Sequence, residues 1–369
     1  MKKIVIIGGG IIGLTLANYL DTTKFEVTLF DEGVGQATKA SAGIISPWLS
    51  KRRNKKWYQL AKDGAAFFPK LVQDLQLNQA IYSVCGTILL REEKNLLSLA
   101  QLAEERKKDA PEIGDIQLLT PEQTHAKLPL LKPTPSLFVS GGGRLNGRAY
   151  LSHATKQAET KGVTIIREKA EIKQKDAKWQ VTSASQQVTA DFLAITAGPF
   201  AKPLMEQIGY TVDIRPQKGQ LLMYQTNWTQ SVDWPVAMLD GEADFIPFDN
   251  GKILIGATHE NDGGWDLTAT SEAAQQLIDG TKDFLSTTDF LQQQPEQLVG
   301  TRAYTSDFAP FFGPMTDEPS LAVASGLGSS GLTTGPYIGY LLAQYFNDTP
   351  IEMEQYQKPM DTYIQPHAK

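Results

Sequence analysis

Residues 6–13, Ile6-Ile7-Gly8-Gly9-Gly10-Ile11-Ile12-Gly13, constrain this chain more than any other segment. They spell G-x-G-x-x-G directly after residues 4–7, an apolar run that reads as a strand buried on both faces. Gly8 permits a tight turn. Gly10 lets the backbone approach a pyrophosphate, and Gly13 lets the next helix pack closely on the strand. That helix, predicted over 11–20, directs free N–H groups and its positive dipole end toward the phosphates. A second strand, 26–30, runs into Asp31. This acid falls about 20 residues beyond the glycines, where a ribose hydroxyl needs an acceptor. Strand, glycine turn, helix, strand and acid, in that order, predict a dinucleotide site.

A chain of 369 residues is too long for one simple core and long enough for two domains. A net charge of −6 argues against general affinity for nucleic acid. The single cysteine, Cys85, rules out an intrachain disulfide and fits a reducing compartment. It sits in the apolar stretch 81–90, where it reads as a small packed hydrophobe. His125, His153, His259 and His367 are scattered without ligand spacing, so no metal is expected. Lys2 and Lys3 before an apolar run mimic a signal peptide, but glycines interrupt the run and no cleavage site follows. No stretch has the length of a membrane span, and a cytoplasmic protein without an integral membrane segment is expected.

Along the chain, helices are predicted over 54–75, 94–108, 148–160, 270–285 and 331–346. Strands are predicted over 82–91, 163–167, 192–196, 219–225, 235–239, 243–247, 252–257, 298–305 and 321–325, with a short meander over 171–189. Residues 118–135 read as a Pro-rich connection. Asp249-Asn250-Gly251 reads as a hairpin turn. The pattern predicts an interleaved architecture. A nucleotide-binding α/β domain takes residues 1–80, 141–211 and 300–369, and a β-rich substrate domain takes 81–140 and 212–299.

Gly326-Leu327-Gly328-Ser329-Ser330-Gly331 spells the glycine motif a second time, between a strand and a helix. Too little chain follows to complete a second dinucleotide site. A helix N-terminus there still offers N–H donors and positive potential to another electron-rich group, such as the N1–C2=O edge of a flavin. The alternative is a helix entry with a packing role only.

Several segments together resemble the D-amino-acid oxidase / glycine oxidase superfamily of FAD-dependent oxidoreductases, in order and over nearly the whole chain. Besides Gly8, Gly10, Gly13 and Asp31, residues 38–45 (Thr-Lys-Ala-Ser-Ala-Gly-Ile-Ile) resemble its Ser/Thr-rich loop near the flavin. Residues 191–199 resemble its middle FAD strand, ending in Thr196-Ala197-Gly198-Pro199. Residues 215–221 are similar to the segment entering the substrate sheet, and 246–248 with 255–258 to the hairpin that lines the substrate pocket. Gly300-Thr301-Arg302-Ala303 through Asp307 and Gly313-Pro314 is similar to the "G-x-R … D … G-P" block, and 326–332 to the C-terminal flavin loop. The implied fold is α/β, a Rossmann-type FAD-binding domain interleaved with a smaller β-rich α+β substrate domain. The implied cofactor is noncovalent FAD, since members that tether flavin through a C-terminal cysteine use a residue this chain lacks. The implied FAD contacts are Gly8, Gly10, Ile11, Ile12, Gly13, Asp31, Glu32, Ala40, Ser41, Ala42, Gly43, Ile45, Ala170, Thr196, Ala197, Gly198, Gly326, Gly328, Ser329, Ser330, Gly331 and Leu332.

The resemblance implies oxidation of the C–N bond of a small amine or amino acid, D-configured or glycine-like. A hydride passes to flavin N5, and electrons then pass to oxygen or to a carrier. Such a flavin needs no strong side-chain base, but a buried substrate carboxylate needs a cation. Arg302 stands at the family's arginine position with a guanidinium fork matched to a carboxylate. The alternative is a structural ion pair across the domain junction. Phe245 stands where a pocket tyrosine is expected, which puts glycine itself in doubt as substrate. His259 follows the hairpin, either toward the pocket or in a surface turn. The basic run Lys51-Arg52-Arg53-Asn54-Lys55-Lys56 is either a solvated loop or the source of a second carboxylate contact from Arg52 or Arg53. Rival readings are a dehydrogenase using a non-oxygen acceptor and a flavin-binding regulatory protein without turnover. The expected partners are a small substrate and an electron acceptor, with a homo-oligomer possible in principle.

Overall fold

Ile4, Val5, Ile6 and Ile7 are all buried at the middle of a six-stranded sheet, as a strand apolar on both faces must be. The structure, a computed structural model, describes residues 1–52, 54–241 and 243–367. The sheet runs in the order Phe311–Pro314, Leu321–Ser325, Phe192–Ile195, Lys2–Ile7, Phe25–Phe30, Thr164–Ile166. Its neighbours are parallel except at the Phe311–Pro314 edge, which is antiparallel.

The pleat divides the core. Ile4 and Ile6 join a cluster with Leu16, Leu60, Phe68, Tyr150 and Leu342, which come from helices Ile11–Tyr19, Lys55–Leu75, Gly147–Thr160 and Gly331–Phe346. Val5 and Ile7 face the other way, toward Trp179 and Val181 of a three-stranded meander. Each such side chain contributes about 1.5–3 kcal/mol when fully buried.

The first and last helices approach unusually closely. A Cβ placed on Gly339 would lie 2.6 Å from the Ile12 carbonyl oxygen and 2.7 Å from Thr15 Cβ, and one on Gly335 would run into the Ile11 side chain. The two glycines, one turn apart, let the helix backbones nearly touch. Both helices therefore begin at the same end of the sheet.

The second large sheet has eight strands, in the order Glu296–Tyr304, Arg215–Gln225, Lys252–Gly256, Asp244–Pro247, Val236–Met238, Thr87–Leu89, Ser136–Val139, Ile116–Leu119. Asn250 and Gly251 both have positive φ, 56° and 75°, as a tight hairpin turn with the strands' own twist requires. One face packs Phe245, Ile253 and Ile255 against Leu277 of helix Ser271–Asp279. The opposite face carries Leu221, Ile246 and Leu254 toward Ala40 of the flavin-type loop.

Several expectations shift. Glu296–Tyr304 pairs with Arg215–Gln225 without a break, so the expected boundary at 299/300 falls inside one strand. The 82–91 run splits into Tyr82–Val84 and Thr87–Leu89 around Gly86, whose φ is 80°. Within the supposed 118–135 connection lies helix Pro121–Lys127, opened by a capping box in which Thr120 Oγ1 accepts from Gln123 N and Thr120 N donates to Gln123 Oε1. The 270–285 helix ends at Asp279. Among the described residues no helix is long and apolar enough to cross a membrane.

Candidate active site

A cavity of about 870 Å³ opens where the glycine turn of the first sheet meets the face of the second. That volume lies in the range of cofactor and ligand sites.

Gly8 starts one end of it. Its φ is 105°, and a Cβ there would lie 2.6 Å from the backbone of Thr196 and Ala197. Gly8, Gly10, Ile11 and Ile12 line the cavity. Gly13 does not, because its task is spatial: a Cβ on it would collide with the Gly8 carbonyl. The first helix starts at Gly10 with no side-chain cap, and Ile11 N donates to Thr38 Oγ1 at 3.2 Å. Asp31 and Glu32 line the wall at the end of the second strand. Asp31 accepts from Gly33 N at 2.6 Å and from Gln36 Nε2 at 2.5 Å. Ala170, Thr196, Ala197 and Gly198 complete this end.

The middle is the 38–46 loop. Ala40, Ser41, Ala42 and Gly43 line the cavity. Ile45 is corrected: it is 1% exposed, pairs with Gly143 and packs in the helical core. Strand alternation gives the cavity its neighbours Ile44 and Ser46 instead.

At the far end, Gly326, Gly328, Ser329, Ser330, Gly331 and Leu332 all line the cavity. The last helix begins there without a side-chain cap. Ser330 Oγ donates to the Leu327 carbonyl at 2.9 Å and accepts from Trp57 Nε1 at 3.1 Å. Arg52 reaches the rim, donating to Ser329 Oγ at 3.2 Å with its guanidinium 4.6 Å from the Trp57 ring centre. Lys56 turns away to the Glu354 and Gln357 carbonyls. Arg53 lies outside the described residues.

The wall from the eight-stranded sheet holds the charges. Arg302 stands opposite Gln217, and its guanidinium covers Gly219, where a Cβ would come within 2.6 Å of Nη1. It donates to the Thr258 carbonyl at 2.9 Å and to Gln217 Oε1 at 3.2 Å, both neutral oxygens. Burial pulls the guanidinium below its ordinary pKa, opposed by Tyr304 and Glu260 nearby. A half-buried cation whose hydrogen bonds, among the described residues, go to neutral oxygens is favourable toward an incoming anion. His259 also lines the cavity, with its side chain exposed at the mouth.

Phe245 is corrected. Its ring is fully buried on the far face of the sheet, among Ile253, Ile255 and Phe138. One residue back, Asp244 faces the cavity. Leu239 N donates to its Oδ1 at 3.1 Å, and burial pushes the carboxyl up to about 7, against the downward pull of that N–H and of Arg91. Sequence reasoning also missed Gln36, Ser46, Trp57 and Met238 as lining residues. Gln36 Oε1 and Ser46 Oγ are buried and, among the described residues, have no hydrogen-bond partner.

Residues 3–345 match the model of the DAO family, FAD dependent oxidoreductase. The chain belongs to this family. It is 36% identical over 354 residues to the uncharacterized oxidoreductase YurR of Bacillus subtilis (strain 168), covering 93% of this chain and 94% of that one. It is 22% identical to a glycine oxidase of Bacillus licheniformis, over 95% and 94% of the two chains. The crystal structure of iminodiacetate oxidase (IdaA) from Chelativorans sp. BNC1 superposes with a TM-score of 0.90 at 27% identity, covering 99% of each. This protein is thus an FAD-dependent oxidoreductase of the DAO family, with that family's α/β fold.

The residues present fit FAD. An acid at one end, an uncapped helix start behind a glycine turn, orphaned polar atoms along the middle and a second uncapped helix start at the far end match a ligand with ribose, diphosphate and a polar ring system.

Proposed function

We propose that this enzyme oxidises the C–N bond of a small amine or amino acid bearing a carboxylate. Relatives named for glycine and for iminodiacetate support that substrate class. FAD, when bound, would supply the acceptor for a hydride from the carbon next to nitrogen. Asp31 and Glu32 would hold the ribose, the N-terminus of helix Ile11–Tyr19 the diphosphate, and the 326–331 segment the ring, all of them lining the cavity. The cofactor is noncovalent in this reading, because the sole cysteine, Cys85, is not among the cavity's lining residues. The six-stranded sheet with its helices serves as the FAD unit and the eight-stranded sheet as the substrate unit. The site lies in a cytoplasmic protein that hands electrons to oxygen or a carrier.

The observation that carries this reading is Arg302, a half-buried guanidinium on the cavity wall whose hydrogen-bond acceptors, among the described residues, are both neutral. It anchors the substrate carboxylate and so fixes which C–H bond faces the ring. A hydrogen bond to a charged group contributes about 1.5–3 kcal/mol, so Arg302→Ala is expected to lose roughly ten- to a hundredfold in kcat/KM while keeping FAD. Near-normal kcat/KM on amino acids in that variant would remove Arg302 from the site.

A further inference from the structure

Asp244 is a second ionisable group on the substrate wall, and carboxylate anchoring by Arg302 leaves it without a task. It opens strand Asp244–Pro247, opposite Met238 on one side and Gly256 on the other. Its two strand partners, Met238 and Gly256, offer no charge and also line the cavity. Among the described residues its one hydrogen-bond donor is the Leu239 N–H. A carboxylate with a single donor on an apolar wall is poorly solvated. The nearest cation does not neutralise it. Arg91 spends its Nη1 on the carbonyls of Leu90, Met238 and Leu239, and its Nε faces Asp240 at 3.8 Å.

Strand register relates Asp244 to Arg302. Asp244 is level with Gly256, Gly256 with Leu221, and Leu221 lies four residues along its strand from Gln217, the partner of Arg302. On a flat sheet those steps separate the two Cα atoms by roughly 20 Å, which twist and the reach of the side chains reduce. A positive and a negative group thus look into one cavity from separate points of the same wall.

We propose that Asp244 is the second charge anchor of the site. In the initial complex it holds a protonated nitrogen of the substrate whose carboxylate sits at Arg302, and so selects amino-bearing acids over their des-amino counterparts; the nitrogen gives that proton to the Asp244 carboxylate or to water before a hydride leaves the adjacent carbon. This rests on the reading of Arg302 as the carboxylate anchor. An ionised Asp244 is required, and its carboxyl is the group that burial keeps near neutrality. The charged and titratable groups around it are Arg91 with Asp240 beside it, and on the same cavity Arg302, His259 and Arg52, with Asp31, Glu32, Glu168, Lys169, Lys202 and Glu206 also in its lining.

Calorimetric binding to the FAD-loaded protein tests this without turnover. Isobutyrate is compared with α-aminoisobutyrate, which has no α-hydrogen to lose, and hexanoate with 6-aminohexanoate under anaerobic conditions. In the wild type the amino group is expected to improve binding by at least about tenfold in one of the pairs, as a charge-assisted bond should. Asp244→Asn and Asp244→Ser abolish most of that gain and leave the des-amino acids bound as before. The wild-type gain grows between about pH 6 and pH 8, still does so in His259→Gln, and is flat in Asp244→Asn. A gain that survives in both Asp244 variants, or des-amino acids that bind the wild type as tightly as the amino acids, overturns the proposal. The carboxylate reading fails by a different signature, and the proposal falls with it: either no probe binds the wild type, or Arg302→Ala binds the des-amino acids unchanged.

Discussion

Asp244 and Arg302 are each strained by the same burial, in opposite senses. The carboxyl of Asp244 sits at about 7 in the folded protein against 3.8 when exposed. The folded state therefore holds its proton more tightly than the unfolded chain does. The stability this group contributes is complete below 3.8 and is lost as pH rises through about 7. Removing the charge should remove the loss. Asp244→Asn without FAD is expected to melt a few degrees above the wild type at about pH 8, with the gap closing by about pH 4. Thermal melts across that range check this, and a gap independent of pH would contradict it. Asp244 also shows where the sequence was hardest to read. The 245–248 segment is apolar on both faces, so its period-2 pattern does not say which residues face the cavity, and an error of one residue exchanges Phe245 for Asp244. The signal available was the charge itself, an acid opening an otherwise apolar strand. Ile45 failed for the same reason, in a run of two identical side chains. The glycine positions were legible because backbone space, not burial, dictates them.

The first and last helices act as a pair. Their starts define the two ends of the cavity, and Gly335 and Gly339 set how close they lie. Gly339→Val must displace the Ile12 carbonyl, Thr15 or the helix itself. Overpacking of this kind costs about 1–3 kcal/mol, and the shifted helix start should weaken FAD binding as well. Gly241→Ala is the control, since a Cβ there meets nothing within 4 Å. Equal FAD affinity and melting temperature in Gly339→Val and the control would show that the close approach is not needed. The capping box is separable from this device. Thr120→Ala should cost about 1 kcal/mol of stability and leave FAD affinity untouched, by melting and by cofactor titration. The sequence held the Thr120-Pro121-Glu122-Gln123 signal for that helix, but proline density in the surrounding segment obscured it. Strand Phe311–Pro314 was hidden by Pro310 before it and Pro314 at its end, residues that suit the sheet edge where the structure has it.

Two sheets enclose one cavity, and the chain crosses between them several times, so cofactor and fold are linked. A ligand bound only by the folded state adds about 2.7 kcal/mol at a hundredfold excess over its Kd. FAD should therefore raise the melting temperature in a concentration-dependent way. Denaturation should release it intact, since Cys85 does not line the cavity and burial pushes its thiol up toward the unreactive form. Flavin that stays with the denatured chain would overturn noncovalent binding. The α/β plan and its interleaving were legible because each glycine motif sits between a strand and a helix. Strand Glu296–Tyr304 was legible too, expected over 298–305, but the boundary set at 299/300 cuts through it, because a strand that joins two units carries no mark of the crossing.

Anaerobic titration of the FAD-loaded protein with a panel of D-amino acids, glycine, sarcosine, proline and iminodiacetate bears most directly on the function. At least one carboxylate-bearing amine should bleach the flavin's visible band in the wild type and fail to do so at the same concentration in Arg302→Ala with equal FAD content. A protein that takes up no FAD, or a flavin that the same amine bleaches equally in both proteins, would contradict it.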